Sequence, residues 1–152
     1  MLALRTGTPL DLSALSRVDA FAPPESDRAK FLRNALAIGQ CVVADSDAAV
    51  AGFVVLNYEF FDFGFIPLLV VAPQLRRQGI ALKLLAEAEA RCRASKLFTS
   101  ANESNVAAQL LFQRAGFTRS GIIENLEAAD PELVYFKACR LAFASPTVSL
   151  VR

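Results

Sequence analysis

The chain has 152 residues, of which 54% are hydrophobic, and a formal net charge of +1. That length and apolar content suit one domain with a substantial core and exclude a disordered segment, and no apolar run nears the ~18 residues of a membrane span. The near-neutral charge argues against general nucleic-acid binding, which needs a strongly basic surface.

Leu2 to Arg5 is expected as a short strand that meets a turn at Gly7, and not as a signal peptide. Thr8-Pro9 opens a helix expected to run to about Ala20, with Leu12, Leu15 and Val18 on one face. Phe21-Ala22-Pro23-Pro24 breaks it. Ser26 caps a second helix whose apolar stripe is Phe31, Leu32, Ala35 and Leu36, and Gly39 ends it. Gln40 to Ala44 and Val50 to Tyr58 are expected strands joined by a turn at Asp45-Ser46-Asp47. Phe60 to Gly64 turns, and Phe65 to Ala72 is apolar almost throughout, as a central strand covered on both faces would be.

A helix is expected from Ile80 to about Ser95, with Ile80, Leu84, Ala88 and Cys92 at helical spacing. Its wet side carries the i,i+4 pairs Glu87–Arg91 and Glu89–Arg93. Lys96 to Ser100 is a strand. Asn105 caps a short helix ending at Ala115, with Gly116 as its stop. Phe117 to Asn125 and Leu133 to Ala144 are strands around an acidic loop, and the tail from Ser145 is expected to be loosely held. The order β-α-α-β-β-β-α-β-α-β-β is a mixed α/β domain over residues 1–144, followed by a tail at 145–152.

The most informative stretch is Val70-Val71-Ala72-Pro73-Gln74-Leu75-Arg76-Arg77-Gln78-Gly79-Ile80-Ala81. A strand, a basic turn with a glycine and a helix N-terminus together make an anion site. First-turn N–H groups point outward, the helix dipole adds positive charge, and glycine admits close approach. The stretch holds neither a Walker nor a Rossmann fingerprint.

Arg76-Arg77-Gln78-Gly79-Ile80-Ala81 resembles the acetyl-CoA signature of the GNAT acetyltransferases, Gln/Arg-x-x-Gly-x-Gly/Ala. Downstream, Asn105, Ala108, Leu111, Gly116 and Phe117 match that family's Asn-x-x-Ala-x-x-Leu-Tyr-x-x-x-Gly-Phe pattern, with Phe112 at the Tyr position. Without the resemblance, these are a basic turn before a surface helix and a plain N-cap.

The resemblance implies a central, mostly antiparallel sheet splayed between its fourth and fifth strands. It also implies acetyl-CoA as cosubstrate, with no metal. The cofactor arm would pair with backbone near Leu69, Val70 and Val71. Arg76 and Arg77 would supply charge to the phosphates, and Gln78, Gly79, Ile80, Ala81 and Leu82 would contribute backbone N–H groups. Asn105, Ala108 and Phe112 would line the far side of the arm. The first two helices would border an acceptor pocket for a small-molecule or peptide amine, and a homodimer through the C-terminal strands fits the family.

No histidine occurs. That removes the commonest general base, Ser-His and Cys-His nucleophiles and the usual zinc sites. Cys41, Cys92 and Cys139 are odd in number and scattered, and read as reduced core thiols of a cytoplasmic protein. Acyl transfer from a thioester tolerates this poverty, because coenzyme A is a good leaving group and alignment carries much of the rate.

Both usual proton carriers of the family are missing. Phe112 has no hydroxyl, and a frequent base position falls on Ser100. Candidate replacements are Glu59 and Glu124, with Asp62, Glu127, Asp130 and Glu132 nearby in sequence. The late acidic stretch is expected to favour a cationic amine. Tyr135 is expected to pack rather than to react. The expected function is N-acetyl transfer to a primary amine in a ternary complex. The alternative is an acetyl-CoA-binding sensor or structural protein without transferase activity.

Overall fold

The structure is a computed structural model and describes residues 1–139. In chain order the strands and helices are β1 (Leu2–Thr6), α1 (Leu12–Val18), α2 (Asp27–Ala37), β2 (Cys41–Ser46), β3 (Ala49–Phe60), β4 (Phe63–Val71), α3 (Ile80–Arg91), β5 (Lys96–Asn102), α4 (Val106–Arg114), β6 (Thr118–Ile123) and β7 (Glu132–Ala138). The seven strands form one sheet in the order β1-β2-β3-β4-β5-β7-β6. Every neighbouring pair is antiparallel except β4 and β5, which are parallel.

The element order expected from the sequence is observed. The boundaries differ at several places, each for a local reason. The first helix opens with a 3₁₀ turn at Pro9–Asp11 and stops at Val18. The β2–β3 turn is Asp47-Ala48, not Asp45-Ser46-Asp47. Both turn residues have positive φ, as a two-residue hairpin requires, while Asp45 and Ser46 stay in the strand paired with β1. The β3–β4 turn is likewise only Phe61-Asp62.

The third helix ends at Arg91 because Cys92 turns extended, at φ −66° and ψ 124°, and its side chain is buried. Arg93 therefore leaves the helix. Its N–H donates to Tyr58 Oη (3.0 Å) and its guanidinium lies 5.5 Å from that ring's centre. The expected Glu89–Arg93 pair is replaced by Lys137 Nζ on Glu89 Oε2 (2.7 Å), whereas Glu87–Arg91 forms as expected (2.9 Å). The last strand begins one residue early, at Glu132. Residues 140–144 of its expected range, and the tail from Ser145, lie outside the described residues.

Two apolar layers sandwich the sheet. On one face α3 and α4 bury Ile80, Leu84, Leu85, Ala88 and Phe112 against Val54, Leu97 and Leu133. On the other, α1 and α2 bury Leu15, Leu32 and Leu36 against Val43, Phe53 and Val55. Each fully buried leucine is worth roughly 2 kcal/mol or more in transfer free energy, so burial of these helix stripes, rather than helix propensity, fixes the helices.

Arg5 ties the sheet's edge to the first turn. Its Nε donates to Asp45 (2.6 Å) and its two Nη atoms donate to Asp11 (2.8 and 2.9 Å). The hydrogen bond from Arg5 holds the Asp11 carboxyl at about 2, below its ordinary 3.8. A carboxyl depressed by folding stabilises the fold in full above its unfolded value and loses that contribution as pH falls through the folded one. The melting temperature should therefore drop between about pH 4 and pH 2. Asp11→Asn should melt lower than wild type at pH 6, and the gap should narrow below about pH 4 and close below about pH 2. A constant gap across that range would count against the Arg5–Asp11 contact.

Candidate functional site

The parallel junction of β4 and β5 is short. Only three pairs form: Gly64 with Leu97, Phe65 with Phe98, and Ile66 with Thr99. Pro67 follows, and it has no N–H to continue a ladder. The β3–β4 register also shifts here, between Val55 and Asn57, which marks a bulge in β4.

The root of the opening is packed tightly. A side chain on Gly64 would meet Cys92 Sγ at 2.5 Å, and the buried Thr99 hydroxyl donates to the Ile66 carbonyl (3.0 Å). Beyond that fastening the strands part, and Leu68–Val71 pair only with β3 while Ser100–Asn102 pair only with β7.

Backbone groups alternate along a strand. Ala72 N–H donates to the Ala51 carbonyl (2.8 Å), so Val70 shares its direction toward β3, and Leu69 and Val71 face the opening. Arg76 Nε reaches the Val71 carbonyl (3.3 Å), as that orientation allows. Of the three residues expected to meet a cofactor arm, two thus present backbone groups to the opening.

The mouth of the opening lies at the carboxyl ends of β4 and β5, where each strand leads into a helix. In the turn after β4, Arg77 (φ 64°) and Gly79 (φ 80°) are left-handed and Gln78 between them is not. Such alternation curls successive N–H groups into an anion-binding concavity at the N-terminus of α3. Arg76, Arg77, Gln78 and Gly79 are exposed, Ala81 and Leu82 are half-buried, and Ile80 is buried in the core.

After β5, Asn105 caps α4, its Oδ1 accepting from Ala108 N–H at 3.1 Å. Asn105→Ala should cost about 1 kcal/mol of stability from the lost cap. It should also weaken acetyl-CoA binding measured by calorimetry. Lost stability with unaltered binding would reduce Asn105 to a cap alone.

Phe112 points from α4 into the core, 5% exposed, with its ring 5.6 Å from Tyr135 and 6.1 Å from Phe117. Tyr135 is buried against it, so its role includes packing.

The carboxylates are dispersed. Glu59 is exposed near the β3–β4 turn, with Asp62 in that turn; this is the end where β4 and β5 are still paired, not the end where they part. Glu124 is exposed just after β6. The acidic loop is partly committed to structure. Glu127 accepts from Asn102 Nδ2 (2.7 Å), and Asp130 accepts from the Ser104 hydroxyl (2.6 Å) and N–H (3.0 Å). Glu132 accepts from the Ser100 hydroxyl at 2.6 Å.

Along β5, Leu97, Thr99 and Ala101 face α3 and α4, so Phe98, Ser100 and Asn102 face the other way. On that second face Phe98 touches Phe60, Phe63 and Phe136, with ring centres 5.0 to 5.9 Å apart, and Phe60 stacks on Phe65 at 5.1 Å. A half-buried aromatic wall therefore shares this face of the sheet with Ser100. Sequence spacing could not reveal this grouping, because it depends on the β4–β5 and β5–β7 registers.

Burial pushes the Cys41 and Cys139 thiols up to about 12, which keeps them protonated and poor nucleophiles. All three cysteines are free, and no group of metal-ligating side chains occurs among the described residues.

Comparison with known proteins agrees with this geometry. The model of the acetyltransferase (GNAT) family matches residues 11–117. A search of curated proteins returns no match. Among solved structures, a GNAT-family acetyltransferase from Bacillus cereus is 32% identical over 93% of this chain and 99% of its own, with a TM-score of 0.86.

Two more distant structures share the fold. A Salmonella typhimurium protein solved with its cofactor acetyl-CoA is 15% identical over 97% of this chain and 98% of its own, with a TM-score of 0.75. Diaminobutyrate acetyltransferase from Paenibacillus lautus, solved with L-2,4-diaminobutyric acid and coenzyme A, is 16% identical over 89% of this chain and 94% of its own, with a TM-score of 0.70. With a family match over most of its length, and with the splayed sheet and both motifs at the mouth of the opening, the chain belongs to the GNAT acetyltransferase family and is an acetyl-CoA-dependent acyltransferase.

Proposed function

We propose that this protein transfers the acetyl group of acetyl-CoA directly to a primary amine while both are bound. The observation that carries the reading is the opening between β4 and β5, which offers backbone with no strand partner on one arm and a helix N-terminus at the mouth of each. An extended amide-rich arm can add to Leu69 and Val71 as a strand adds to a sheet edge. The left-handed turn at Arg77–Gly79 suits a pyrophosphate. Direct transfer is supported by the lack of histidine and by thiols that burial holds protonated.

The acceptor would approach from the face bearing Phe98 and Ser100, between the aromatic wall and the acidic β6–β7 loop. The wall excludes water and the carboxylates favour a cationic amine. Acceptor basicity then matters. An amine with pKa near 10.4 costs about 4.6 kcal/mol to neutralise at pH 7, whereas an α-amine near 7.8 costs about 1 kcal/mol. We include in the reading a cytoplasmic location, supported by the free thiols, and a homodimer through the C-terminal strands, supported by the exposed Ile122 and Ile123 on edge strand β6.

The test is coenzyme A release across an amine panel that includes 2,4-diaminobutyrate and an alanine-starting peptide, paired with calorimetric binding of acetyl-CoA. Release with at least one amine is expected. Phe112 favours a second reading, an acetyl-CoA sensor, since a buried phenyl ring cannot protonate a thiolate. Tight binding with release on no amine would establish that alternative.

A further inference from the structure

We propose that Ser100 and Glu132 form the proton relay of the transfer, with Ser100 meeting the amine and Glu132 acting through it as a positioning residue; this rests on the transferase reading above. Ser100 is the first β5 residue beyond the last β4 pair, Ile66 with Thr99. It therefore stands where the strands begin to part. Its hydroxyl lies on the face with the aromatic wall and donates to Glu132 Oε2 at 2.6 Å, a short charge-assisted bond.

The pairing follows from register. Asn102 lies opposite Glu132 and Ser100 opposite Val134, so Glu132 is the diagonal neighbour of Ser100 on one face. Both side chains are partly buried, while Glu59 and Glu124 are exposed. Glu127 and Asp130 are engaged with Asn102 and Ser104. Glu132 is thus the carboxylate bonded to the β5 residue that stands nearest the point where the strands part.

The direction of the bond decides the chemistry. A serine hydroxyl is too weak a base to keep a proton. Because Ser100 donates to Glu132, its lone pairs remain able to accept from an ammonium N–H. The amine proton passes to Ser100 Oγ as the Ser100 proton passes to the Glu132 carboxylate. The free amine nitrogen then forms the C–N bond with the acetyl carbon, and the C–S bond breaks with its electron pair on sulfur. The surplus N–H proton reaches the thiolate through solvent, giving amide and free coenzyme A thiol, and Glu132 releases its proton to solvent.

The experiment uses the fastest amine of the panel and an analogue made weakly basic by nearby fluorine. Glu132→Gln keeps the shape and an acceptor oxygen. It should lower kcat about 10²-fold with the ordinary amine and only a few-fold with the weakly basic one, which needs no proton removed. Acetyl-CoA affinity should not change. Ser100→Ala should give the same pattern, the double variant should be no worse than either single, and Ser100→Thr should retain activity. Equal losses on both amines, additive losses, or an unaltered kcat would overturn the relay while leaving the transferase reading intact. Wild-type protein that binds acetyl-CoA but acetylates no amine would overturn both.

Discussion

Gly79→Val should abolish measurable acetyl-CoA binding while the protein stays folded. Gly79 has φ +80° and precedes the first residue of α3. Nothing lies within 4 Å of where its Cβ would be, so the free protein has room for a side chain there. The backbone is the obstacle. A β-branched residue in the left-handed region is strained by ~1–3 kcal/mol, and the turn relieves that strain by rotating. Rotation swings the N–H groups of residues 79 to 81 out of the anion site, and the valine methyls occupy the space a phosphate would take. Two charge-assisted hydrogen bonds at ~1.5–3 kcal/mol each correspond to a loss of 10²-fold or more in affinity. Calorimetry measures the affinity and thermal melting the fold. A variant that binds as tightly as wild type would show that the turn is not the phosphate site.

Phe112→Tyr should raise kcat, by up to the ~10²–10⁴-fold typical of a positioned acid, if proton supply to the thiolate limits turnover. The family's tyrosine hydroxyl has no counterpart at this position, where the phenyl ring is enclosed by Tyr135 and Phe117. The structure adds a second readout. A hydroxyl buried without a partner costs ~1–3 kcal/mol, which would lower the melting temperature by several degrees. An unchanged melting temperature would mean that the ring's far edge reaches the opening between β4 and β5. Unchanged melting with unchanged kcat would place the limiting step at product release or at amine deprotonation, the latter being the step assigned above to Ser100 and Glu132.

The turns and caps of the proposed cofactor half are legible in the sequence because they are local. Arg76 to Ala81 and Asn105 to Phe117 are short segments whose turns and caps depend on neighbours in the chain, and the Asn105 cap and the Gly39, Gly79 and Gly116 turns form as read. The acceptor half depends on register. Ser100 and Glu132 are 32 residues apart, and only the antiparallel pairing of β5 with β7 makes them neighbours. Pro67 marks the end of the β4–β5 ladder, yet within an apolar run it carries no sequence pattern that distinguishes a splay from an edge. Helix ends depart from the sequence pattern where tertiary contacts intervene, as at Cys92, whose burial stops α3 before Ser95.

The three-pair junction between β4 and β5 also bears on how the molecule holds together. Within the sheet, four strands on one side pair with three on the other through Gly64–Ile66 and Leu97–Thr99 alone, with helix packing and the contacts of Phe98 with Phe60 and Phe63 as further ties. A bound cosubstrate arm laid along Leu69 and Val71 would serve as an eighth, non-peptide strand. The protein's resistance to unfolding would then follow its supply of acetyl-CoA, gaining about 2.7 kcal/mol when the ligand stands at 100 times its Kd. Such a chain would be sturdiest when fuel for its reaction is plentiful and most open to proteases when that fuel runs short.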